Sequence, residues 1–289
     1  MRTQYPNVAA DFARQLADRA HALRLLILRT HAAAGQGHLG SSLSIVEILV
    51  ALMSSGIDTG HWAEGAPHGD RIVLSKGHAA LAFYCALTQV GVVPQHALES
   101  FSRNGGELEP HPNEHTLPAV QASTGSLGQG LSIGLGLAFG SRMCGRDDSC
   151  FVILGDGELN EGQCWEAAIA AAQLQLGNLV AVVDANGFQQ DGPMDEIMPI
   201  PGMAAAWRAL GWETADVDGH DCSALLGTLA AVNAASTDRP KLIVARTVKG
   251  RGVPFLEHTT DSHFPPPLTE VEIAIVDQLV AKRSADVRW

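Results

Sequence analysis

Phe151-Val-Ile-Leu-Gly-Asp-Gly-Glu158, read together with Leu179-Val-Ala-Val-Val-Asp-Ala-Asn-Gly187, decides the fold. Each stretch is a short apolar run ending in a small turn that carries an oxygen ligand. Asp156 and Asn186 stand thirty residues apart, about the length of one βαβ crossover. Parallel strands bring their C-terminal ends to one edge of a sheet, and ligands of open α/β folds bind there. A carboxylate and an amide oxygen are therefore expected to converge beside Gly155, Gly157 and Gly187. Hard oxygen donors of this kind suit Mg²⁺ or Ca²⁺, and diphosphate oxygens often complete the shell around Mg²⁺.

Working outward, helical spacing of Phe12, Leu16, Leu23 and Ile27 predicts a helix over 11–33. Gly35–Ser42 reads as a glycine loop. Ser44 and Glu47 have the spacing of a capping box for a helix to Ala51. A strand at 71–74 leads through Ser75-Lys-Gly-His78 into a helix over 79–90, and a short helix is expected at 94–101. Residues 105–118 read as an irregular loop. Thr124–Gly130 opens a small-residue helix to 140, whose Gly and Ala content predicts close packing on a neighbour. Strands at 151–154, 179–184, 213–217 and 241–247, helices at 161–175, 221–235 and 270–283, and loops at 185–202 and 249–268 complete the chain. This alternation predicts an α/β fold: a doubly wound, mostly parallel sheet with helices on both faces. No linker or repeat divides it, so 1–289 reads as a single domain.

The bulk properties narrow the function. The 289 residues are 46% hydrophobic and 17% charged, which suits a globular chain. A net charge of −12 argues against non-specific nucleic-acid binding, which needs a basic surface. No run approaches the ~18 apolar residues of a membrane span. Five cysteines without a CxxC pair and no visible signal peptide suggest a cytoplasmic protein with reduced thiols.

Histidines sit in or beside glycine- or proline-bearing loops at His38, His78, His111 and His263. A single loop histidine is usually surface decoration. Four such positions fit hydrogen bonding to phosphate or sugar oxygens and proton transfer near neutral pH. Lys76 and Lys249 have the same ambiguity between a solvated surface and an anion site. Glu158 and Glu161 have a bland reading too, facing a helix macrodipole.

At this point the residues resemble a family. Gly37-His-Leu-Gly-Ser-Ser42, Asp70-Arg-Ile-Val-Leu-Ser-Lys-Gly-His-Ala-Ala80, Thr124-Gly-Ser-Leu-Gly-Gln-Gly130, Gly155-Asp-Gly-Glu-Leu-Asn-Glu-Gly162 and Lys249-Gly-Arg-Gly252 resemble the diphosphate-binding half of transketolases, which use thiamine diphosphate (ThDP). The resemblance implies Asp156, Asn186 and the backbone oxygen of Phe188 as ligands of Mg²⁺ or Ca²⁺. It implies Gly155, Gly157 and Glu158 near the diphosphate, and Gly125, Ser126 and Leu127 facing the aminopyrimidine. Lys249 and Gln190 fall near the diphosphate and thiazolium. His38, His78 and His263 would line the diphosphate and the reacting end of the substrate, with His111 at the donor sugar. Glu161 resembles a buried glutamate that links paired active sites.

The implied activity is transfer of a two-carbon ketol unit from a ketose, free or phosphorylated, to an aldose or aldehyde. The alternative is a ThDP lyase or acyloin synthase using a 2-oxo acid or another specialised substrate. A non-catalytic partner is a third reading, disfavoured by the intact Asp156, Asn186 and histidines. Family members are more than twice as long, so the resemblance also implies a separate subunit carrying the pyrimidine-binding domain, in an α₂β₂ assembly. An apolar docking face is expected on the Leu131–Phe139 helix or the Trp165 helix. Phe264-Pro-Pro-Pro267 departs from the family, where Gly usually follows the histidine, and predicts a reshaped substrate entrance.

Overall fold

The computed structural model describes residues 10–58, 62, 68–235 and 237–286. Its five strands are β1 (Arg71–Leu74), β2 (Cys150–Gly155), β3 (Leu179–Ala185), β4 (Glu213–Asp218) and β5 (Lys241–Arg246). They form one sheet in the order β1-β2-β3-β5-β4, and every pairing is parallel. The helices are α1 (Ala10–Ala34), α2 (Leu39–Ser44), α3 (Val46–Ser54), α4 (Ala80–Gln89), α5 (Gln129–Met143), α6 (Gly162–Gln173), α7 (Met194–Ile197), α8 (Met203–Ala209), α9 (Cys222–Ala234) and α10 (Glu270–Asp286). Among the described residues no helix is long and apolar enough to cross a membrane.

Both faces of the sheet are covered, which explains why its inner strands β2, β3 and β5 read as nearly continuous apolar runs. Successive strand side chains point to opposite faces. Ile72, Phe151, Ile153, Val180, Val182 and Ile243 pack into a core with residues of α1, α3, α4 and α9. Their neighbours Val73, Val152, Leu154, Ala181, Val183 and Leu242 pack into a second core with α5, α6 and α8. Full burial of each such aliphatic side chain contributes roughly 1.5–3 kcal/mol.

The small-residue helix packs as its composition predicts. A Cβ on Gly130 would overlap Ser75, and one on Gly134 would overlap Val152. Only glycine lets α5 lie this close to β1 and β2.

Three local expectations are corrected. Gly35–Ser42 is not all loop, because residues 39–44 form α2. The capping box does not form, since the residue preceding α3 is Ile45. Ser44 bonds Ser41 and Asp184 instead, and Glu47 is taken by Arg24 and His220. Tertiary partners outcompeted the local motif. The loop at 185–202 contains α7, and α8 follows it in a segment for which no helix was predicted.

Glu47 anchors a buried chain of contacts that fixes the loop after β5. Arg24 Nη2 donates to Glu47 Oε1 at 2.6 Å, and Arg24 Nε donates to the Arg251 carbonyl at 3.0 Å. The Val248 N–H donates to His220 Nε2 at 2.8 Å. The ring proton of His220 therefore sits on Nδ1, facing Glu47 Oε2 at 2.9 Å. Burial opposes the Glu47 charge, but Arg24 and His220 outweigh it and lower its pKa to about 2. A carboxylate held below its unfolded value stabilises the fold above that value, 4.5, and the contribution disappears as pH falls toward about 2. Urea unfolding from pH 5 to pH 2.5 is therefore expected to show a loss of stability that Glu47→Gln flattens. Glu47→Ala, which strands Arg24 in the interior, is expected to cost about 3–5 kcal/mol at pH 7. Equal pH slopes for wild type and Glu47→Gln would refute this account.

Candidate active site

The C-terminal ends of β1, β2, β3 and β5 deliver Ser75–His78, Asp156–Glu158, Asp184–Phe188 and Thr247–Lys249 to one edge of the sheet. The parallel register sets Gly155 beside Asp184, so the two oxygen-bearing turns meet as expected. Asp156 Oδ1 accepts from the Gly157 N–H at 2.9 Å, and Oδ2 accepts from the Gly187 N–H at 2.6 Å. Asn186 Oδ1 accepts from the Phe188 N–H at 3.0 Å, and its Nδ2 donates to Asp184 Oδ2 at 2.8 Å. Gly157 gives the Gln189 side chain room here, since a Cβ would lie 2.8 Å from Gln189 Cγ and displace it.

Asp184 organises this edge. Its side chain is fully buried, and Lys76 Nζ forms an ion pair with it. Thr247 Oγ1 donates to Oδ1, and Ser44 Oγ donates to Oδ2 at 2.7 Å. Burial opposes the Asp184 charge, and Lys76 with these donors overcomes it, holding the carboxyl below its usual range. Glu158 ties a second set of turns. It accepts from Ser75 Oγ, from the Gly128 N–H at 2.9 Å and from the Gly155 N–H at 3.1 Å.

His78, His111 and His263 converge on His38. Its ring centroid lies 5.3 Å from His78, 5.8 Å from His111 and 4.9 Å from His263. Backbone ties hold their loops. The Gly40 N–H donates to the Ser262 carbonyl at 2.7 Å, and the Gly250 N–H to the Gly40 carbonyl at 3.0 Å. Tyr84 Oη donates to the His111 carbonyl at 3.1 Å. His111 packs on Gly125, where φ is 148° and a Cβ would meet the imidazole.

Burial dominates the electrostatics. It lowers His38 to about 3, helped by His263, His111, Lys249 and Lys76. It lowers His263 to about 4, helped by the two lysines. His78 and His111 are lowered by burial as well. All four imidazoles are neutral at pH 7 and can donate or accept one hydrogen bond at each nitrogen. Burial, with Lys76 close by, lowers Lys249 to about 8, so it stays mostly cationic. Burial and the Asp184 charge raise Asp156 to about 7, a carboxylate that a bound cation would return to its ionised form.

A cavity of about 330 Å³ opens among these groups, within the usual size of a small-molecule site. The histidines, Gly125, Leu127, Gly155, Asp156 and Gly157 line it, as do Glu158, Glu161, Asn186, Phe188, Gln190 and Lys249. Ser126 alone among the predicted residues does not. Both Glu158 oxygens hold protein donors, among them the Gly128 N–H at the N-terminal end of α5, so it ties these turns together. Glu161 lines the cavity and is exposed in this chain. Sequence reading missed Asp184, Ser41, Asn160 and Gln189, the last three lining the cavity. Asp184 stands inside the quoted strand 179–187, but its burial leaves no periodic signature there.

The residues fit a diphosphate with a hard cation. Asp156 and Asn186 supply oxygens, Lys249 and Lys76 positive charge, and Gly157 a close backbone. His263 Nδ1 is buried without a hydrogen-bond partner among the described residues. Among those residues no group of three His, Cys, Asp or Glu could hold a metal, so a cation here also needs amide, carbonyl or ligand oxygens.

Asp184→Ala, which leaves Lys76 buried without its counter-charge, is expected to cost about 3–5 kcal/mol in urea unfolding. Adding Lys76→Met should recover much of that loss. A double variant no more stable than Asp184→Ala would show that Asp184 does not act through Lys76.

Residues 16–282 match the family model described as transketolase, thiamine diphosphate binding domain. The chain is 37% identical over 248 residues to a 6-deoxy-6-sulfo-D-fructose transketolase subunit from a Clostridium species, covering 86% of this chain and 90% of that one. It is 34% identical to an apulose-4-phosphate transketolase subunit from Actinobacillus succinogenes, covering 90% and 95%. Transketolase from Leishmania mexicana superposes with a TM-score of 0.84 at 26% identity, over 92% of this chain and 41% of that one. With its parallel sheet and its Asp156–Asn186 turn pair, the chain belongs to the family of transketolase thiamine-diphosphate-binding domains.

Proposed function

We propose that this chain is the ThDP-holding subunit of a two-subunit transketolase. It would transfer a two-carbon ketol unit from a ketose phosphate, or a similar acidic ketose, to an aldehyde or aldose. The observation that carries this is the clustering of His78, His111 and His263 around His38 beside the Asp156–Asn186 turns. The relatives named as transketolase subunits, whose lengths this chain nearly spans, support a separate partner. That partner would carry the pyrimidine-binding domain, and we infer an α₂β₂ assembly. Ile133 and Leu137 on α5 are only half-buried, and Ile169 on α6 is exposed, which suits a docking face on these helices.

When bound, ThDP supplies the electron sink for cleavage and formation of the carbon–carbon bond. The chain's residues do the rest. Asp156, Asn186 and the Phe188 carbonyl would hold Mg²⁺ or Ca²⁺, and Lys249 would offset diphosphate charge. Neutral imidazoles can hydrogen-bond substrate hydroxyls and take or return a proton as an alkoxide develops. A cationic imidazole could donate but could not accept, so the lowered histidine pKa values keep both directions open at pH 7. Closure by the partner would exclude water and strengthen each of these contacts.

The test is calorimetric titration of ThDP with Mg²⁺ into the complex of this chain and its partner, followed by assay with ketose phosphates and with 2-oxo acids. Tight binding and ketose cleavage are expected. Asp156→Ala is expected to weaken binding about 100-fold or more, beyond the roughly 10–100-fold typical of losing an outer-shell partner. Unchanged ketol transfer by Asp156→Ala would overturn the assignment. Cleavage of 2-oxo acids alone would convert it to a lyase or acyloin synthase.

A further inference from the structure

The segment after His263 holds a side chain that the proposed chemistry leaves unexplained. Phe264 is 60% exposed, although its ring centroid lies 4.1 Å from His38 and 4.8 Å from His263. The two imidazoles are themselves 4.9 Å apart. The three rings thus form one closed cluster, with two polar members and one apolar member facing solvent. Phe264 does not line the cavity, so it covers the imidazoles from outside.

The cover is held in place from both sides. Ser262 is fully buried, and its carbonyl accepts from the Gly40 N–H at 2.7 Å. A Cβ at Gly40 would collide with Ser262, so the two segments are in close backbone contact. On the other side Pro265 and Leu268 are buried. Pro265, Pro266 and Pro267 each have φ restricted by the ring, and a residue before proline is held to extended backbone. Few alternative conformations are open to Phe264, so little entropy is lost in keeping it over His38. An exposed aromatic ring on a pre-ordered segment costs solvation without adding to either core.

We propose that Phe264 is a positioning residue that clamps the rings of His38 and His263 and keeps water off their outer faces. The proposal rests on the assignment of the four-histidine cluster as the reacting site. The ring fixes the tilt of both imidazoles relative to the cavity and lowers the dielectric around them. The titratable and charged groups facing His38 are His78, His111, His263, Lys76 and Lys249, and those facing His263 are His38, His78, Lys76, Lys249 and Asp191. With Phe264 in place, burial and the two lysines favour neutral rings, and Asp191 opposes them at His263. Without it, water reaches His38, and its proton affinity rises toward that of a free imidazole.

The test compares wild type, Phe264→Gly and Phe264→Tyr by histidine-ring NMR titration of the isolated chain, and by pH profiles of kcat/KM for the complex. The glycine variant is expected to raise the His38 midpoint by more than 1 pH unit. It should also move the acid limb of kcat/KM upward, with a loss at pH 6 of up to about fourfold, the limit set by a free imidazole titrating near 6.5, and little change at pH 8. Tyrosine, which keeps the cover, should restore both. Unchanged titration in Phe264→Gly would overturn the proposal. So would a raised titration with an unaltered pH profile, or impaired assembly with the partner as the sole effect. A wild-type complex without ketol transfer would overturn the functional assignment alone, because the NMR titration still decides what Phe264 does to His38.

Discussion

One buried charge, Asp184, conditions the arrangement of the site. It sits near the C-terminal end of β3 and binds Lys76 from the turn after β1, Thr247 after β5, Ser44 of α2 and Asn186 of its own turn. A carboxylate in this interior is tolerated only with a counter-charge and filled hydrogen-bond positions. Satisfying it forces four chain segments into one geometry. The oxygen of Asn186 and the cation of Lys76 are therefore aimed before any ligand arrives. Such preorganisation lowers the reorganisation that binding and catalysis would otherwise require.

A second set of ties acts at longer range. Glu158 joins the ends of β1 and β2 to the start of α5. Arg24, Glu47 and His220 join α1 and α3 to the loop that carries Lys249. The site thus stands on side chains whose polar atoms are spent on the protein itself. The ligand-facing groups are left with free capacity: imidazole nitrogens, Lys249, and the remaining lone pairs of Asp156. This division leaves Lys249 as a cation facing the cavity in a chain of net charge −12.

The histidine cluster illustrates how environment outranks residue type. A free imidazole would be partly protonated near neutral pH. Here burial and two neighbouring lysines make protonation unfavourable at His38 and His263. Neutral rings at short spacing can share protons with a substrate without repelling one another. Phe264 adds to that environment from the solvent side, in ring contact with both imidazoles.

The sequence by itself determined the parallel sheet, because apolar runs and glycine turns recur at crossover spacing. It also determined the convergence of Asp156 and Asn186, since strand ends in a parallel sheet must share an edge. The five spaced motifs identified the family and its cofactor. Local pattern misled at Ser44 and Glu47, whose capping-box spacing lost to buried partners 140 and 23 residues away. Asp184 was invisible as an organiser because a strand residue shows no partner in its own sequence. Glu158 and Glu161 looked alike in one motif, yet one is buried among backbone donors and the other faces solvent. Only the tertiary structure decided these roles. Desolvation and long-range hydrogen bonding depend on what the fold brings from elsewhere in the chain, and spacing along the sequence does not record that.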